Sequence, residues 1–280
     1  MMRSMYAAIS GLKVHQTMLD VTSNDIANVN TLGYKAQRTT FKESLSQLQR
    51  GAAAPNAAQG GSNAIQVGLG VQLGSIDNNM STGALQTTGN PLDVALQSDG
   101  SYFRVANANP TAGAGSIANI QYTRSGNFTR NQDGYLITQD GQYVLGRSAP
   151  GAGGTDQLIS IPAGSTNLSV GQDGSVSYDP ASGGARVTAG YVSLASFAND
   201  AGLQRVSSNR WAASSASGTE SVGTPGGNYS LVAPGQVEMS NVDLAQEFTN
   251  MISAQRGFQA NSRVISTADQ MLQDLVNLNR

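Results

Sequence analysis

The residues of this chain closest to a catalytic set are one histidine, His15, and the pair Ser10 and Lys13. A Ser-x-x-Lys spacing suits a serine nucleophile helped by a lysine, but the Ser-Asp-Asn and Lys-Thr-Gly partners of such enzymes are missing. A triad needs a base beside its nucleophile and a third group to orient it. His15 stands alone in a helical run and reads as a polar helix-face residue. With no cysteine in the sequence, thiolate catalysis, iron–sulfur clusters and Cys-based zinc sites are excluded. Asp99-Gly100, Asp133-Gly134, Asp140-Gly141 and Asp173-Gly174 each stand alone, without the Asp-x-Asp-x-Asp-Gly order of a calcium loop. They read as tight hairpin turns. Gly68-Leu69-Gly70 lacks the third glycine and following helix of a dinucleotide site, and no carboxylate pair has a glycosidase spacing. The residues therefore predict no enzyme, no cofactor and no metal site.

Composition points the same way. Charged residues make up 12% of the 280, with a net charge of -2. That is about half the usual charged share, and it argues against nucleic acid or an anionic membrane as a partner. No apolar run reaches the roughly 18 residues that suggest a membrane span. Ala7 to Leu12 is too short for the core of a cleaved secretion signal. The 33 glycines and abundant Ser, Thr, Asn and Gln suit many short strands and turns.

The elements that organise the chain lie at its ends. From Val242 onward there is no proline, and Gly257 is the only glycine. Leu244, Phe248, Met251, Phe258, Ile265, Leu272 and Leu275 recur at steps of mostly three, four or seven, the spacing of a helix packed along its length. Asp243 and Gln246 have the spacing of a capping box. About 36 residues of helix would reach about 54 Å. Near the other end, Met5, Ile9, Leu12, Leu19 and Ile26 fall on a second heptad seam. Gly11 and the Thr, Ser and Asn content make that segment a mediocre helix alone, so pairing must stabilise it.

Between the ends, Gly33 can terminate the first helix. Phe41, Leu45 and Leu48 have helical spacing, while Thr39-Thr40 favours extension, so Arg38 to Leu48 is a short helix or an extended arm. Gly51 to Asn63 reads as a loop, and Ile65 to Leu73 alternates as a strand does. Short strand candidates separated by turn signals follow as far as Val237, with Trp211 as a core anchor. The expected class is α+β. Residues 1–30 and 240–280 form a coiled-coil stem of N- and C-terminal helices, 31–72 a linker or arm, and 73–239 an inserted antiparallel β-rich domain.

Two terminal runs carry a resemblance. Met5-Tyr6-Ala7-Ala8-Ile9-Ser10-Gly11-Leu12 and Asn24-Asp25-Ile26-Ala27-Asn28-Val29-Asn30-Thr31-Leu32-Gly33-Tyr34-Lys35 are similar to one signature of bacterial flagellar rod and hook proteins. Glu238-Met239-Ser240-Asn241-Val242-Asp243-Leu244 and Asn250 to Gln259 resemble the other. Tyr122 to Phe128, Asp133 to Leu136 and Phe197 to Asn199 look like the family's β-domain landmarks. The chain is thus identified as a member of this axial family over nearly its whole length. Gln255-Arg256-Gly257-Phe258-Gln259 and Leu275 to Arg280 look like hook members, while Thr267 to Leu272 is equally at home in a rod protein.

The resemblance implies a structural subunit that polymerises with itself into a hollow helical tube. The hook, a flexible joint that passes motor torque to the filament, is the first expectation, and the distal rod, a drive shaft of the basal body, the alternative. It implies that the apolar seams named above are the assembly interface. Implied partners are distal rod, hook cap and hook–filament junction proteins and the flagellar type III export gate. The location implied is the extracellular part of the flagellum, hook or basal body, reached without a cleaved signal peptide. Phe41-Lys42-Glu43-Ser44-Leu45 resembles the family's export motif, with Phe41 and Leu45 as its apolar positions. A secreted β-rich binding or adhesin module is the alternative of another class, and it would not need matching seams at both ends.

Overall fold

The structure, a computed structural model, describes residues 2–54, 60–108, 117–151, 154–181 and 183–278. Helix α1 spans Met2–Ala27 and helix α2 spans Leu244–Leu278. The 35 residues of α2 give a rod about 52 Å long. Its first turn is capped by Asp243, whose Oδ1 accepts from the main-chain N of Ala245 (2.9 Å) and of Gln246 (3.3 Å). The reciprocal half of the expected capping box is not made, because Gln246 Nε2 donates instead to Asn250 Oδ1 at 3.0 Å.

The chain divides into two units. The first joins the helices to residues 37–78; the second comprises residues 28–36 and 79–242. The expected linker of residues 31–72 is therefore divided differently in the structure. Residues 28–36 belong with the β unit, and the stretch from Gln37 belongs with the helices. That stretch is a two-stranded antiparallel ribbon. Strand β1 (Gln37–Glu43) pairs with β4 (Val71–Asn78), and β2 (Ser46–Arg50) with β3 (Ile65–Gly68). Ser44 N donating to Gly70 O (2.8 Å) and Leu69 N donating to Leu45 O (2.9 Å) carry the ladder across the breaks. Of the two possibilities for Arg38 to Leu48, extension prevails, because cross-strand partners satisfy the backbone. The expected loop at Gly51 to Asn63 is the end of this ribbon, where Ala53 bridges Ser62; residues 55–59 of it lie outside the described residues.

Ser10 ties the ribbon to α1. Its Oγ donates to Ala7 O (2.7 Å) and accepts from Val71 N (3.2 Å). Gly70, at φ +116°, makes this close approach possible: a Cβ there would lie 2.4 Å from Ser10 Oγ. The serine of the Ser10–Lys13 pair is thus engaged by main chain.

The second unit is built on a thirteen-stranded antiparallel sheet. Its main path runs Thr166–Val170, Ser175–Asp179, Val187–Val192, Tyr143–Arg147, Ser101–Ala108, Ile117–Thr123, Arg210–Ala212 and Gln204–Arg205. Central strand Ser101–Ala108 is covered on both faces, which follows from the two-residue alternation of a strand. Phe103 and Val105 enter a large cluster with Leu96, Phe128, Val144 and Ile159. Tyr102 points the other way, into a cluster with Tyr122, Leu203 and Trp211. Gly100, Gly134, Gly141 and Gly174, the second residues of the four Asp-Gly pairs, all have φ between +75° and +88°. They are turn glycines.

Gly126 shows how tight the packing is. A Cβ there would sit 1.6 Å from Val94 O, in the buried strand Val94–Leu96. Gly126→Ala is expected to destabilise this unit by about 1–3 kcal/mol. The check is a lowered urea midpoint at unchanged m-value.

Candidate assembly surface

In the helical unit, α1 and α2 pack through small and polar residues. Ala8, Gly11, Val14, Thr22 and Asp25 are the buried positions of α1, and Ala254 and Ala268 those of α2. A Cβ on Gly11 would come within 2.6 Å of Asn261 Nδ2, and one on Gly257 within 2.6 Å of the His15 ring. His15 also meets Phe41 edge-on, with ring centroids 6.0 Å apart. Narrow residues let the backbones approach and leave many of the large side chains facing outward.

The seam residues read from the sequence divide accordingly. Met5, Ile9, Leu12, Leu19 and Ile26 of α1 are half-buried, as are Met251, Ile265 and Leu272 of α2. Leu244, Phe248, Phe258 and Leu275 are exposed, Phe248 and Leu275 at 50% each. Ile252, Val264, Met271 and Val276 are exposed too, and a strict heptad count passes over them. Plotting α2 at about 100° per residue would have found them. On that plot Leu244, Phe248 and Ile252 lie within about 80° of one another, whereas Val264, Met271 and Leu275 cluster on nearly the opposite flank. The face toward α1 lies between these two flanks.

The ribbon adds to the uncovered apolar surface. Phe41, Leu45, Leu48, Ile65, Val67 and Leu69 are all exposed, Leu45 at 77%. Two strands alone are marginal in water, and uncovered apolar surface of this extent makes the ribbon a candidate interaction surface.

The β unit is fastened by buried charge. Lys35, Arg124 and Glu238 have no side-chain exposure; Glu238 takes Lys35 Nζ at 2.6 Å on Oε1 and Arg124 Nη1 at 3.3 Å on Oε2. Burial pulls the Lys35 ammonium below the usual lysine range, against the attraction of Glu238. Arg205 lies between the Tyr34 and Trp211 rings, 4.7 and 4.9 Å from their centroids, and donates to Lys35 O at 2.7 Å. A second network joins buried Arg104 to Asp156 (2.8 Å) and Glu220 (3.3 Å), and Glu220 accepts from Tyr122 Oη at 2.7 Å. Both networks tie together segments far apart in the sequence.

These networks give an alkaline signature. Burial, reinforced by Asp200, raises the Tyr102 hydroxyl well above its ordinary value near 10. The unfolded chain then loses this proton at lower pH than the folded one. The stability Tyr102 contributes is therefore complete below about pH 10 and declines above it, at up to about 1.4 kcal/mol per pH unit. Tyr102→Phe is expected to flatten the fall in stability above pH 10, measured by urea unfolding at stepped pH.

Three family models match the chain. Residues 5–35 fit a flagella basal body rod protein segment, 95–178 the D1 domain of flagellar hook protein FlgE/F/G, and 233–278 the C-terminal segment of flagellar basal body rod FlgEFG proteins. The flagellar basal-body rod protein FlgG of Bacillus subtilis is 46% identical over 282 residues, covering 100% of both chains. This chain belongs to the flagellar rod/hook family. FlgG of Caulobacter vibrioides is 35% identical, covering 97% of each chain. The flagellar hook protein FlgE of Borreliella burgdorferi is 27% identical, covering 99% of this chain and 100% of its own, over an alignment of 440 residues. That length means the hook relative carries sequence with no counterpart here. Members of this family are structural parts of the flagellum, and this chain has N- and C-terminal helices with an antiparallel β-rich domain between them in sequence.

Proposed function

We propose that the chain is a distal rod subunit, a non-enzymatic building block of the flagellar drive shaft. The observation that carries this reading is the match at 46% identity with a rod protein, covering 100% of both chains. The hook, the first expectation from sequence, gives way to it. Gly257, within the Gln255 to Gln259 run that favoured the hook, has a packing role of its own, because it makes room for the His15 ring. That constraint belongs to the helix pair, whichever axial part it builds.

In this reading identical subunits join through heterologous, non-closing contacts, which generate a helical polymer. Met5, Ile9, Leu12, Leu19, Ile26, Leu244, Phe248, Met251, Phe258, Ile265, Leu272 and Leu275 supply apolar surface to neighbouring copies, and the terminal helices complete a coiled-coil inner layer only in the assembly. The other axial proteins and the type III export gate are its partners, with Phe41 and Leu45 available to the gate before the ribbon forms. Electron microscopy of polymers grown from the purified chain tests the assignment. Straight rods are expected; curved tubes would return the chain to the hook, and failure to polymerise would remove both.

A further inference from the structure

Two cations, Lys35 and Arg124, and one anion, Glu238, pack together without solvent exposure; the less buried carboxylates of Asp99 and Asp200 also act on Arg124, and Asp99 on Lys35. They come from distant parts of the sequence and lie within the β unit. Beyond its two ion pairs, Glu238 accepts from Gly83 N at 3.0 Å through Oε1 and from Gly33 N at 2.8 Å through its main-chain O. Nearby, Asn241 Oδ1 accepts from Ala36 N at 2.8 Å, and Met239 N donates to Ala84 O at 2.9 Å. One carboxylate and its neighbours thus fasten residues 33–36, 83–84 and 124 to residues 238–241. Without that carboxylate, the two like charges would lose their one fully buried counter-charge and keep only the more open Asp99 and Asp200, an unfavourable arrangement away from water. The large apolar cluster of the sheet uses none of these residues.

We propose that Glu238 is a closing latch of the β unit. The sheet forms around its own apolar core, while the segments by which the chain enters and leaves the unit stay unfastened until this carboxylate seats between the two cations. The closed unit is therefore conditional on both ends of its chain. A subunit missing the carboxylate has an intact sheet and open entry and exit segments. Local opening of this kind is distinct from global unfolding and can be measured residue by residue.

Amide hydrogen exchange on the full-length monomer, followed by NMR, tests the latch with Glu238→Gln, which keeps shape and removes charge, and with Lys35→Met. The latch reporters are the amides of Gly33, Ala36 and Met239. The core reporters are the amides of Val192 and Ser193, bonded to Gly174 O and Leu145 O. Glu238→Gln is expected to speed exchange at the latch amides roughly tenfold or more while the core amides stay within about twofold of the parent. Lys35→Met leaves Arg124 paired with Glu238, so it should open the latch less than Glu238→Gln does. Unchanged protection at Gly33, Ala36 and Met239 in Glu238→Gln would overturn the proposal. So would exchange rising equally at latch and core, or a chain that fails to fold, because the sheet would then depend on Glu238. Equal opening in the two variants would refute the role given to the Glu238 charge.

Discussion

Replacing Phe248 and Ile252 together by serine is expected to raise the concentration needed for self-assembly by roughly 10- to 150-fold, with the melting of the β unit unchanged. Both side chains are 50% exposed on one flank of α2, away from the face that meets α1. Full burial of such a side chain contributes about 1.5–3 kcal/mol, so covering the exposed half is worth about 0.75–1.5 kcal/mol each. Two losses total about 1.5–3 kcal/mol, and each 1.4 kcal/mol is a factor of about ten. The β unit should be indifferent, because neither residue belongs to it. Sedimentation of polymer across a concentration series, beside a thermal melt, reads both effects. Met271→Ser with Leu275→Ser probes the opposite flank and should weaken assembly independently. If either double variant assembles at the parental threshold, that flank is not an interface.

Trp211→Ala is expected to lower the stability of the β unit by about 3–5 kcal/mol, a fall in Tm of roughly 6–20 °C for a unit of this size. Trp211 is 1% exposed and packs with Tyr102, Tyr122 and Leu203. Truncation would open a cavity and strip Arg205 of one of its two aromatic faces. Trp211→Phe should cost much less. It keeps an aromatic ring in the cluster, and it removes an indole N–H that is buried without a hydrogen-bond partner among the described residues. Calorimetry on the three proteins separates the effects, and equal losses for Phe and Ala would show that ring packing is not what stabilises this corner.

How much of this was legible beforehand depends on distance along the chain. The two helices, the cap at Asp243 and the turns at the four Asp-Gly pairs follow from residues within a few positions of one another. Arg38 to Leu48 did not resolve in the same way. Its apolar spacing suits a helix, and only pairing of Phe41 with Leu73 and of Thr39 with Ile76 makes it a strand. The contact face of the helices was missed for a related reason. Counting large apolar residues at heptad steps finds surface that is mostly half-buried or exposed, while the closest approach uses Gly11, Gly257, Ala254 and Ala268, which a hydrophobic pattern ignores.

The buried charges were the least visible. Lys35 and Glu238 are 203 positions apart, and nothing local marks either as internal. By itself, the sequence determined the helical ends, the turns and the family, because each is written in short-range spacing and residue type. Only the tertiary structure decided the ribbon, the narrow helix contact and the pairing of Lys35 and Arg124 with Glu238. Those depend on which distant groups share a volume from which water is excluded.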